Sequence, residues 1–183
     1  MFMNLGIFYD VLHLFGVAIG AGGAVVSDFM FFSSVKDGKI SKTEMRFLLI
    51  GSRTVWLGLF ILVLSGIGLV TLNPERILAS EKFWAKMTIV AVIFINGLLF
   101  HRYHIPLLSR HVGENFSRSE EFANRKPFLL ASGAISIVSW ASAIILGALR
   151  KAPAGYFEIV GIYFLLIALG ILFTAFFRRR IIP

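Results

Sequence analysis

Asp10, His13 and Asp28 lie in a run from Leu5 to Phe32 that contains no Lys or Arg. Each can take up or release a proton, and each is out of place in hydrocarbon. An ionisable side chain at the bilayer centre costs roughly 2.5–3.5 kcal/mol on insertion scales, so such groups turn towards a bundle interior or a watery cavity. At ~100° per residue, Asp10, His13, Gly16, Gly20, Ala24, Ser27 and Asp28 fall within about 60° of one direction. Gly16, Gly20 and Ala24 form a small-residue ridge that lets helix backbones approach closely in lipid. An imidazole beside such a groove could touch a flat ligand. The competing reading is a packing face whose polar residues find partners.

Other segments repeat this pattern. Arg53 is followed one turn later by Trp56. Arg53 either snorkels to the interface, with Trp56 in the aromatic belt, or pairs with Asp28 at the same end of the bundle. Lys86, Val90, Ile93, Gly97, His101 and His104 share one helical face, with Asn96 at its edge. Lys86 is expected at the depth of Asp10 and His13. His101 and His104 have a spacing that could hold a metal, with His111 in the following loop as a third ligand; a solvated helix end is the alternative. Ser132, Ser136, Ser139 and Ala143 form a stripe, beside Trp140, suited to hydroxyl bonds across helices. No catalytic triad, P-loop or HExxH motif occurs.

These residues sit in five apolar segments, about 5–33, 46–71, 83–105, 128–149 and 156–177. Each reaches the ~20 residues needed for ~30 Å of hydrocarbon. Period-2 alternation is missing, and only a closed barrel would satisfy strand backbones in lipid. The expectation is an all-α integral membrane bundle: a single transmembrane domain over 1–183, with four core helices and a peripheral fifth. With 57% hydrophobic and 15% charged residues, there is too little polar surface for a soluble domain of 183 residues. Asp37-Gly38, Asn73-Pro74-Glu75 and Ala152-Pro153-Ala154-Gly155 mark loops, Ser80 with Glu81 a helix start, and Ser117–Glu121 a short surface helix. The N-terminus does not read as a secretory signal peptide, because acidic residues interrupt its long apolar stretch. The absence of Cys excludes disulfides and thiolate metal sites.

The net charge of +8 does not indicate nucleic acid, because the basic residues cluster at segment ends. Lys36, Lys39, Lys42, Arg46, Arg102, Arg110, Arg118, Arg125, Lys126 and Arg178–Arg180 make twelve on one side, against four (Arg76, Lys82, Arg150, Lys151) on the other. Such a bias predicts an outside N-terminus and a cytoplasmic C-terminus, with the lipid bilayer as the principal partner.

Val11-Leu12-His13 with its following glycines, Ser52-Arg53-Thr54-Val55-Trp56 and Phe83-Trp84-Ala85-Lys86-Met87 resemble a group of small bacterial membrane proteins. That group includes the copper-resistance protein D-like family and the HemJ-type protoporphyrinogen oxidases. The resemblance covers roughly residues 8–105 and implies the bacterial inner membrane. It also implies haem or porphyrin chemistry, with His13 and Lys86 at the matching positions. Three functions follow as expectations. The first is binding of haem b or a porphyrin in membrane redox chemistry, with His13 as ligand, Lys86 and Arg53 on the propionates and Trp56 lining the pocket. The second is translocation of a small ion or solute along a polar track of Asp10, His13, Asp28, Arg53 and Lys86. The third is an accessory or assembly subunit, as a homo-oligomer or within a membrane complex.

Overall fold

The computed structural model describes residues 4–36, 39–113, 120–149, 151 and 154–181. Seven α-helices account for nearly all of them: α1 (Leu5–Lys36), α2 (Lys42–Leu72), α3 (Pro74–Leu78), α4 (Glu81–Leu99), α5 (Ile105–Arg110), α6 (Glu120–Ala148) and α7 (Tyr156–Ile181). A π-helical turn, Phe100–His104, joins α4 to α5 and makes one rod of them. Among the described residues, five helices are long and apolar enough to cross a membrane. Their outward faces carry large apolar side chains such as Phe29, Phe60, Phe157, Leu172 and Phe176, all exposed. Exposed apolar surface on this scale would drive a soluble chain to aggregate, whereas it costs nothing in lipid. The chain is a multi-pass integral membrane protein with an all-α fold.

The helices run further than the apolar pattern alone indicates, and local chemistry explains two of the extensions, at the start of α2 and at the end of the third span. Ser41 and Glu44 form a capping box, Glu44 N–H to Ser41 Oγ at 3.1 Å and Ser41 N–H to Glu44 Oε2 at 2.8 Å, so α2 starts four residues before its apolar run. Pro106 was expected to end the third segment. Instead the π turn precedes it, with Ile105 N–H reaching back to the Phe100 carbonyl. The widened turn accommodates a residue that has no N–H and crowds the preceding carbonyls, and the helix continues to Arg110. Pro127 lies within α6, near its start. Pro74 sits in the first turn of the short α3, where its missing N–H costs nothing. Asp37-Gly38, residues 117–119 of the expected surface helix, and Ala152-Pro153 lie outside the described residues; Glu120 and Glu121 begin α6.

The bundle is built on an α1–α2 hairpin and on α6, which touches α1, α4 and α7. The hairpin is close because glycines face each other. A Cβ on Gly58 would run into the Gly20 backbone, and one on Gly16 would meet Leu62 at 2.9 Å. Tyr9 covers Gly68, and Trp140 of α6 covers Gly20. The fifth span, α7, packs one side on α6 and α4. It buries Ile159, Tyr163 and Ile167 and leaves the rest outward.

Each end of the bundle has its own ties. At one end Glu81 Oε2 accepts the Tyr156 N–H at 2.8 Å, and Lys82 donates to the Leu149 carbonyl. At the other, basic end, Ile40 is fully buried; its carbonyl accepts the Gly113 N–H at 2.8 Å. Phe31, Leu48, Leu108 and Phe122 close an apolar plug there.

Candidate functional site

His13 lies half-buried on α1 against α2. Its Nδ1 is 3.0 Å from Ser65 Oγ. The Ser65 hydroxyl is fully buried and already donates back to the Ile61 carbonyl at 2.7 Å. A hydroxyl has one hydrogen, so Nδ1 of His13 is the donor to Ser65 Oγ. Asp10 and Lys86 are the charged groups near enough to act electrostatically on the ring. Asp10 is exposed, Lys86 is half-buried, and no ion pair joins them among the described residues. The buried face of α4 is centred on Ala85, Ile89 and Ile93, which leaves Lys86 at its border. That rotation brings Asn96 inward, from the edge position expected of it.

The second polar site lies fifteen residues further along α1, ~22 Å at 1.5 Å per residue. A cavity of about 60 Å³ opens between α1, α2, α4 and α6, lined by Ser27, Asp28, Ser52, Asn96, Ser132 and Ser136 together with Trp56 and Trp140. Among the described residues, no Lys, Arg or His lines it. Asn96 and Ser132 bond reciprocally: Asn96 Nδ2 donates to the Ser132 carbonyl at 3.1 Å and Ser132 Oγ donates to Asn96 Oδ1 at 2.8 Å. Ser136 stands beside the Asp28 carboxyl in the cavity wall, and Ser139 on the same stripe meets the Tyr163 hydroxyl at 2.8 Å. Asp28 Oδ2 and Ser27 Oγ are buried and have no hydrogen-bond partner among the described residues. Gly51 of α2 makes the room for Ser27, since a Cβ there would strike its hydroxyl.

Several expected constellations do not assemble. The Asp28–Arg53 ion pair is absent. Ser52, Val55 and Trp56 of α2 turn to the cavity, while Arg53, ~100° round from Ser52, is exposed. His101 and His104 do not form a metal site. The π turn between Phe100 and His104 changes their angular spacing, leaving His101 exposed and His104 1% exposed between Phe100 and Phe128. His111 bonds the Leu107 carbonyl at 3.0 Å and lies 3.8 Å from Glu121, and no group of three potential ligands gathers among the described residues.

Nor do the four residues expected to hold a porphyrin share a pocket. His13 is level with Ser65, and along α2 Trp56 is ~13 Å and Arg53 ~18 Å away in helix rise. The groove in front of the glycines is filled by Leu62, Gly58 and Trp140. The Asp28 cavity, at about 60 Å³, is far below the ~300 Å³ at which pockets for drug-sized ligands begin. These residues do not fit a porphyrin within one protomer.

Ser65 escapes a reading that follows ionisable groups. Its signal is the company it keeps, with Gly66 next to it and Gly68 three residues on. Comparison with family models, with curated proteins and with solved structures returns no match to this chain.

Proposed function

We propose that this protein binds a small monovalent cation, a proton or an alkali-metal ion, inside the membrane and passes it along the polar seam of α1. Asp28 is the binding carboxylate. The observation that carries this is the buried Asp28 Oδ2, without a hydrogen-bond partner among the described residues, at a largely apolar cavity whose described lining holds hydroxyls and an amide but no basic residue. A carboxylate so placed is costly when bare, and a proton or cation removes that cost. Ser27 Oγ, also unpartnered, and the Ser52 and Ser136 hydroxyls supply the oxygen atoms that a hard cation or a hydrated proton requires. The seam is shut between Asp28 and His13 where Trp140 lies on Gly20, which makes that indole the gate. The basic end faces the cytoplasm of a bacterial inner membrane in this reading, as reporter fusions after Arg180 would show.

Proteoliposomes under an imposed proton or sodium gradient test it. The wild-type protein should dissipate one gradient faster than protein-free vesicles, and Asp28→Asn should not. Wild-type vesicles as tight as empty ones to both ions would overturn the proposal and leave an accessory-subunit role. A Soret band in the purified protein would return haem to the account.

A further inference from the structure

The basic end carries a second cleft, unrelated to the Asp28 cavity. It measures about 160 Å³ and is lined by the last turns of the third span and the start of α6, among them Arg102, Tyr103, His104, Arg110, Glu121 and Arg125. Among the described residues, three guanidinium groups thus border one cleft, against a single carboxylate that already faces His111. Arg102, Arg110 and Arg125 are exposed, so their heads are free to turn to a ligand. His104 lies 1% exposed in the wall, and its Nε2 has no hydrogen-bond partner among the described residues. A buried polar atom left without a protein partner is uncommon and needs a physical reason, of which contact with a water, an ion or a ligand is one.

The position adds a further constraint. The π turn that sets His104 inward lies towards the basic end of the third span, and such turns occur often at functional sites. Guanidinium pairs bind phosphate through parallel charge-assisted hydrogen bonds, and basic pockets between transmembrane helices at this depth suit lipid headgroups. Tyr103, half-exposed at the rim, offers a hydroxyl for a further phosphate oxygen.

We infer that this cleft is a phosphate-binding site, in which Arg102, Arg110 and Arg125 hold a phosphate group over His104. The phosphate comes either from an anionic phospholipid or from a soluble phosphate ester.

Native mass spectrometry of the detergent-purified chain with phosphatidylglycerol, and calorimetry with inorganic phosphate, separate the two sources. Retention of phosphatidylglycerol by the wild-type protein that falls about tenfold or more in Arg102→Gln/Arg125→Gln supports the lipid source. Phosphate binding with the same arginine dependence, without lipid retention, supports the soluble source. His104→Phe should weaken either ligand while leaving the thermal unfolding midpoint in place. Lys39→Gln/Lys42→Gln removes the same charge from exposed positions outside the cleft and is expected to change neither readout. Equal losses in the two double variants, or no binding of either probe, would overturn the site.

Discussion

His13 and Asp28 ride on the same helix ~22 Å apart, and the bundle treats them in opposite ways. The imidazole has a partner in Ser65, charged neighbours in Asp10 and Lys86, and partial exposure. The carboxylate stands beside the Ser136 hydroxyl, and its Oδ2 has no partner among the described residues, at a cavity whose described lining holds no cation. A polar group that is satisfied can be explained by packing alone. One left unsatisfied in lipid is expensive, so its retention points to a ligand. By that criterion the Asp28 site, not the His13 site, is the better place to look for function.

The hardest blow to both regions is to part α1 from α2. Gly58→Leu should remove folded protein altogether, seen as loss of the monodisperse peak in size-exclusion chromatography, because the added side chain meets the Gly20 backbone. Gly22→Leu is the control: nothing lies within 4 Å of a Cβ there, so that variant should fold.

Next in size is the contrast itself. Asp28→Asn should bring ion flux down to the protein-free background, with the unfolding midpoint unchanged or raised, since a neutral amide relieves an uncompensated charge. His13→Gln should keep most of the flux. If the two variants behave alike in proteoliposomes, the distinction between the regions fails.

Smaller effects report on the partners. Ser65→Ala should cost ~0.6–1.7 kcal/mol of stability, the range found for hydrogen bonds across membrane helices, and leave flux intact. Asn96→Ala and Ser132→Ala should each destabilise by a similar amount. Because the two bond each other, the double change should cost less than the sum, as a double-mutant cycle in detergent would show.

The smallest effect is expected at Arg53. It is exposed and does not reach Asp28, so Arg53→Gln should stay within about 0.5 kcal/mol. Combined with Asp28→Asn it should be additive; coupling between the two would restore the ion pair.

Five spans and the glycine ridge of α1 were legible in the chain, because they depend on local composition and on helical periodicity. Apolar runs of bilayer length must become helices in lipid, and every-fourth glycines must face something close. The serine stripe of α6 was legible for the same reason, though not which helix each hydroxyl would meet. What the tertiary structure alone decided is the pairing. Arg53 and Ser52 are neighbours in sequence, yet one faces outward and the other the cavity, and helix rotation is set by packing against Gly16, Gly20 and Gly51 rather than by charge. A single π turn ahead of Pro106 likewise parted His101 from His104. Angular spacing from a uniform helix cannot carry across such a turn, because one extra residue per turn changes the direction of everything beyond it.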